Sequence, residues 1–282
     1  MRIANLSGRA VLVQGENGAI DIAGASDGRF GPDPQSLFED WTAFVEWASA
    51  LERADAKASE SFTVEELGAP VPRPRQVFAI GLNYAEHAAE AGYPPDSMPV
   101  TFTKFPSSIV GPDTVVALPE GHVDWEVELV VVIGKRADRV AEPDAWGHVA
   151  GLTVGQDISD RDLQFAAGAQ FSLGKSRRGY GPMGPWLVTC DEFADPDDLA
   201  LGCSVDGEVV QDSRSGDLVF TVPQLIAELS SVLPLLPGDV IFTGTPSGVG
   251  MGRTPPRFLA PGMVLETWIE GIGTMRNVCV TP

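Results

Sequence analysis

Glu126 and Glu128 stand two residues apart in the run Val123-Asp124-Trp125-Glu126-Val127-Glu128-Leu129-Val130-Val131-Val132-Ile133-Gly134. A strand alternates its faces with a period of two, so both carboxylates point the same way. The next residues on that face are Val130 and Val132, so the acidic face runs on into a core. Two like charges at the edge of a core repel each other and lose hydration. A divalent cation bound by oxygens of both relieves each problem. The competing reading makes this the solvent face of an amphipathic strand, with Trp125, Val127 and Leu129 turned inward. The strand alone leaves both readings open.

Asp157 ends the apolar stretch Val149-Ala150-Gly151-Leu152-Thr153-Val154-Gly155-Gln156 and precedes Ser159-Asp160-Arg161-Asp162, a helix start with a capping-box pattern. Alone it reads as a turn or capping acid. Beside the two glutamates it completes a three-carboxylate oxygen site, which suits Mg²⁺ or Mn²⁺ better than zinc. His87 and Glu90 are i and i+3 on an expected helix, where a carboxylate orients an imidazole and raises its basicity for general-base work. The same spacing also describes a plain surface pair. Asn83 with Glu86 fits a helix cap and its reciprocal partner. Lys104 and Lys175 could each neutralise a substrate carboxylate or a developing enolate, although solvated lysines are the common case. Gly244-Thr245-Pro246-Ser247-Gly248-Val249-Gly250 follows a buried strand, and backbone N–H groups of such a turn can hold an anion. It lacks the Gly-Lys-Ser/Thr of a P-loop, so a nucleotide is not indicated.

The elements that must carry these groups are mostly strands. Apolar runs and alternation predict strands at 76–80, 100–104, 114–117, 126–133, 149–156, 186–189, 200–205, 208–211, 240–243, 263–269 and 273–280. Short helices are predicted at 84–91, 160–168 and 222–232. Residues 1–23 read as a small meander, with Asn17-Gly18 as a hairpin turn. Asp33-Pro34 looks like an N-cap with proline at the first helical position. Leu37, Phe38, Trp41, Phe44, Val45, Ala48 and Leu51 then follow helical spacing and are expected in a core. The proline-rich stretch 67–75 is the expected boundary between a small domain, 1–70, and a larger one, 71–282.

Composition narrows the function. A chain of 282 residues can bury a large core, and 31 glycines with 23 prolines suit a turn-rich β fold. A formal net charge of −20 argues against nucleic acid and against anionic membranes as partners. It leaves room for an anionic small molecule, because a local metal and a few cations reverse the field. Three scattered cysteines form neither a disulfide framework nor a zinc pattern. With no long apolar stretch at the start or elsewhere, a cytoplasmic protein is expected.

Seven segments, in this order, resemble the fumarylacetoacetate hydrolase family. They are Gly81-Leu82-Asn83-Tyr84 with His87 and Glu90; Phe102-Thr103-Lys104 with Pro106-Ser107; Glu126-Val127-Glu128-Leu129; Gln156-Asp157 with Arg161-Asp162; Lys175-Ser176; Val205-Asp206-Gly207-Glu208; and Thr243-Gly244-Thr245-Pro246 with Gly248-Val249-Gly250. They span roughly residues 76–280. The resemblance implies a mostly β (α+β) fold, a mixed β-sandwich roll with a small α/β N-terminal domain, usually in a homodimer. It implies one Mg²⁺ or Mn²⁺ per subunit on Glu126, Glu128 and Asp157. It implies a water-activating dyad of His87 and Glu90 on a segment that covers the substrate, with Lys175 in the pocket. Lys104, Arg161, Gln164, Gly244 and Thr245 are then expected to bind substrate, a small 2-oxo acid. Many relatives carry arginine where this chain has Leu82, which removes one expected anion contact. Residues 1–70 resemble the variable N-terminal part of longer members.

The reaction so implied is hydrolytic C–C cleavage of an acylpyruvate or another 2,4-dioxo acid. His87 takes a proton from the attacking water, and Lys175 supports the negative charge that develops. The alternatives are oxaloacetate-type decarboxylation and isomerisation of a 2-hydroxyhepta-2,4-diene-1,7-dioate type of substrate. Outside enzymology, a metal-stabilised binding protein would need the carboxylates but not His87, Glu90 and Lys175.

Overall fold

The computed structural model describes the chain apart from residues 55, 56, 59, 87–97 and 169. Strand outweighs helix, 35% to 24%, as expected for a mostly β fold. Among the described residues, twelve strands form one mixed sheet and five form a second. The large sheet runs through Arg2–Leu6, Gly181–Val188, Val149–Gln156, Val127–Ile133, Val240–Phe242, Val77–Gly81 and Val100–Thr103. Val240–Phe242 pairs in parallel with Val77–Gly81, while its other neighbour, Val127–Ile133, is antiparallel. The second sheet is built on Ala200–Val205, Val264–Ile269 and Gly273–Val280.

Val127–Ile133 is buried on both faces, as a near-continuous β-branched run should be at the centre of a covered sheet. Leu129, Val131 and Ile133 share an apolar cluster with Leu201, Val205, Leu265 and Ile269 of the second sheet. Val130 and Val132 belong to the opposite cluster, with Leu37, Phe38, Trp41 and Phe44. The stripe expected in a core is therefore there. It is divided between a 3₁₀ turn, Pro34–Asp40, capped by Asp33, and an α-helix, Trp41–Arg53, capped by Asp40. The helix Val222–Val232 begins with a capping box between Thr221 and Gln224.

Two local readings change. In the first hairpin Gln14 pairs with Gly18, so residues 15–17 make the turn and Gly15, at φ +66°, takes the left-handed position expected of Asn17-Gly18. The strand expected at 186–189 runs from Gly181 to Val188. Pro182 and Pro185 disguise its first half, and a register shift between Leu152 and Val154 keeps it paired. The N-terminal strand Arg2–Leu6 pairs with Gly181–Val188, so the sheet is continuous across the proline-rich stretch 67–75.

Candidate metal centre and cleft

Register brings the acids together. Val127 lies opposite Gln156 and Glu128 opposite Gly155. The Asp157 N–H donates to the Glu126 carbonyl at 2.9 Å, and the same register resumes where Asp124 faces Ser159. Opposed residues of antiparallel strands share a face. Asp124, Glu126, Glu128 and Asp157 therefore point to one side, where the sheet opens toward a cleft.

Glu126, Glu128 and Asp157 each place a carboxylate oxygen within 4.8 Å of the others, and all three are buried. With Glu126 5% and Glu128 1% exposed, the solvent-face reading fails. Burial first, then the charges of Asp157 and Glu126, hold the Glu128 carboxyl well above its ordinary range. Lys175 Nζ lies 2.6 Å from Glu126 Oε2 and 2.9 Å from Asp157 Oδ2. Lys104 Nζ donates to Asp157 Oδ1 at 2.5 Å and to the Lys175 carbonyl. Burial pulls both ammonium groups down. Lys104, wholly enclosed, stays lowered, whereas the charges of Asp157 and Glu126 carry Lys175 upward. The donor set is three hard oxygens in a buried, mutually repelling group, which fits a hard divalent cation. Beside it the Tyr84 hydroxyl is buried with no hydrogen-bond partner among the described residues.

A second network holds this one in place. Arg161 donates from Nε and Nη2 to Asp124 Oδ2, at 2.9 and 2.7 Å, and from Nη1 to Gln164 Oε1 at 3.0 Å. The same Nη1 lies 2.8 Å from Glu126 Oε1. The Glu126 N–H donates to Gln156 Oε1 at 2.8 Å, and the Val127 N–H donates to Gln211 Oε1 at 3.0 Å. Gly174 lets the Lys175 segment press against the helix Arg161–Ala166, because a Cβ there would lie 2.4 Å from the Gln164 nitrogen. One cleft is lined by Glu126, Arg161, Gln164, Lys175 and Thr245 at its polar end, and by Leu82 and several aromatic residues beyond.

Residues 76–280 match the family model for the fumarylacetoacetate (FAA) hydrolase C-terminal domain. The chain belongs to the fumarylacetoacetate hydrolase family. It is 47% identical to a mitochondrial oxaloacetate tautomerase of Rattus norvegicus over 75% of this chain and 68% of that one. A crystal structure of a candidate HpcE protein from Mycobacterium smegmatis is 55% identical, with a TM-score of 0.93 over 100% of this chain and 99% of that one. The maleylpyruvate hydrolase of Sphingobium sp. SYK-6, solved with manganese(II) and pyruvate, is 28% identical, with a TM-score of 0.82 over 100% and 99% of the two chains. The family is one of enzymes, and this chain is an enzyme of it.

Within this hydrolase-family framework, the expected residues separate. Glu126, Glu128, Asp157 and Lys175 converge. Arg161, Gln164 and Thr245 line the cleft. Lys104, expected at the substrate, is instead fully buried behind Asp157, because its nitrogen is the counter-charge that this enclosed carboxylate requires. Gly244, also expected at the substrate, donates its N–H to Glu128 Oε2 at 2.8 Å, from a backbone at φ +100° that favours glycine. The glycine-rich turn does hold an anion, but that anion is the protein's own Asp124. Its Oδ1 accepts from Gly250 N–H at 2.7 Å, and its Oδ2 accepts from Met251 N–H at 3.0 Å. Asn83 uses its side-chain amide in tertiary contacts, donating to the Phe220 and Thr243 carbonyls and accepting from Phe220 N–H. Glu86, assigned to the cap, accepts from the Ser247 hydroxyl at 3.1 Å. The helix start after Asp157 is capped by Asp160, which accepts from Leu163 N–H. His87 and Glu90 lie outside the described residues.

Asp124, which anchors Arg161 beside the three acids, is the residue that sequence reading passed over. It carries the Glu126–Glu128 alternation one step further back, and that period-two signal was sufficient to mark it.

Proposed function

We propose that the chain is a divalent-metal-dependent enzyme that binds a small 2-oxo acid at Glu126, Glu128 and Asp157 and hydrolyses a C–C bond of an acylpyruvate. The observation that carries this reading is the buried three-carboxylate group with the Lys175 ammonium inside it. Manganese and pyruvate in the maleylpyruvate hydrolase complex support the same head group. Glu126, Glu128 and Asp157 would hold one Mg²⁺ or Mn²⁺ per subunit.

A bound cation supplies Lewis-acid polarisation of the keto oxygen. Lys175 contributes positive charge where an enolate develops, and it costs no reorganisation because Glu126 and Asp157 already position it. Arg161, anchored by Asp124, keeps Glu126 oriented and presents its guanidinium edge to the cleft. The carried-over role of His87, oriented by Glu90, is to take a proton from the water that attacks the remote carbonyl. The chain is proposed to form a homodimer, which light scattering checks.

A second reading has a specific support: relatives near 47% identity are oxaloacetate tautomerases. Enol–keto interconversion needs the same head-group site but no attacking water. The deciding experiment incubates the protein, with and without Mg²⁺ or Mn²⁺, with acylpyruvates, oxaloacetate and hydroxydienoates, reading products by mass and enol content by NMR. Metal-dependent release of pyruvate together with the matching carboxylate from an acylpyruvate supports hydrolysis, whereas pyruvate with CO₂ from oxaloacetate marks decarboxylation. Enol–keto exchange without cleavage supports tautomerisation. Binding without any conversion removes both proposed reactions.

A further inference from the structure

We infer that the substrate's group beyond the 2-oxo acid head is apolar and uncharged, and that Leu82, Phe102, Phe165, Phe171 and Met251 form the wall that receives it. The inference rests on the acylpyruvate reading above, since oxaloacetate carries a carboxylate beyond its 2-oxo acid head. One cleft joins the polar cluster at Glu126, Arg161 and Lys175 to these five side chains, so a molecule seated at the carboxylates extends along them. The three rings form a chain of edge-to-face contacts. Phe102 meets Phe171 at 5.7 Å and 77°, and Phe171 meets Phe165 at 5.8 Å and 76°. Lys175 Nζ stands 5.5 Å from the Phe102 ring centre, so the wall begins where the charged head ends. Phe165 and Met251 remain 46% and 40% exposed, which is apolar surface available for burial.

The charge inventory points the same way. Arg161 and Lys175 are the cations that line the cleft among the described residues. Arg161 is bonded to Asp124, Glu126 and Gln164, and Lys175 to Glu126 and Asp157. A second carboxylate laid against the rings would lose hydration with no described cation to meet it. An alkyl or aryl group there gains by leaving water.

Leu82 is the residue whose change should be decisive. It holds φ +59°, and the neighbouring Asn83 amide fixes that conformation through Phe220 and Thr243. Arginine bears the same backbone cost as leucine there, so Leu82→Arg tests charge rather than fold.

The test compares kcat/KM of the full chain, loaded with Mn²⁺, for acetylpyruvate, hexanoylpyruvate and adipoylpyruvate. The last two share a chain length and differ in the terminal carboxylate. Hexanoylpyruvate is expected to exceed adipoylpyruvate by at least about tenfold. Leu82→Arg should shrink or invert that ratio, and Phe165→Ala should lower the ratio of hexanoylpyruvate to acetylpyruvate. Equal use of hexanoylpyruvate and adipoylpyruvate by the wild type overturns the inference. So does an unchanged ratio in folded Leu82→Arg. Thermal stabilisation by pyruvate with Mn²⁺, read in parallel, separates the two levels. If pyruvate stabilises but no chain preference exists, only the apolar wall falls. If pyruvate neither stabilises nor any acylpyruvate turns over, the head-group reading falls with it.

Discussion

Arg161 sets two of its nitrogens, Nε at 2.9 Å and Nη2 at 2.7 Å, on a single oxygen of Asp124. That oxygen also accepts from the Met251 N–H, and its twin accepts from the N–H groups of Trp125 and Gly250. Asp124 thus ties together the strand of Glu126 and Glu128, the helix that carries Arg161 and the glycine-rich turn. Removing one partner of a buried pair leaves a charge without compensation. Asp124→Ala is expected to cost about 3–5 kcal/mol of stability and to raise KM through the loosened Arg161. Urea unfolding and steady-state kinetics check it, and Asp124→Asn should be milder in both.

Lys104 has a different expectation from the one its sequence setting suggests. It touches Asp157 from within the protein and is 0% exposed. Lys104→Met should therefore weaken binding of Mn²⁺ and lower stability, while KM at saturating metal changes little. Calorimetric titration with Mn²⁺ and a KM series provide the comparison. A rise in KM alone, with metal affinity intact, would return Lys104 to the substrate.

Glu128 gives the proposed metal binding a pH dependence of definite sign. Burial and the charges of Asp157 and Glu126 keep its proton bound above the ordinary value of 4.5. Between that value and the raised one, the folded chain binds more protons than the unfolded chain, so metal-free stability falls as pH rises through the window. A cation displaces that proton, so affinity increases with pH through the same window. The Tm increase on adding Mn²⁺ should be larger at pH 8 than at pH 5.5. An equal or smaller increase at pH 8 contradicts the assignment.

His87 separates the two candidate reactions. His87→Ala is expected to slow acylpyruvate hydrolysis by roughly 10²–10⁴, the range for a positioned acid–base group. Enol–keto exchange of oxaloacetate, which needs no attacking water, should fall less. Parallel assays of one preparation measure both, and equal losses would remove the water-activating role.

Much of this molecule is written in short-range pattern. The strands at 149–156, 200–205 and 273–280 and the helix at 222–232 coincide with what alternation, apolar runs and a cap imply. Glu126 and Glu128 sharing a face follows from strand geometry alone, and the order of the motifs was enough to indicate the family. The strands, the helix and the shared face depend on residues within a few positions of one another, which is the range over which backbone propensity and periodicity act.

What the tertiary structure decided is which partner each polar group found. Gly244 N–H turns to Glu128 across 116 positions, and Gly250 N–H turns to Asp124 across 126. Lys104 reaches Asp157 across 53. A buried donor or charge must be satisfied wherever the fold encloses it, and no local pattern states which distant acceptor will be there. The same holds for the wall of Leu82, Phe102, Phe165 and Phe171, whose members come from separate elements. The sequence by itself determined that Glu126 and Glu128 share one strand face. The packing of distant segments determined which candidate residues line the cleft and which hold the others in place.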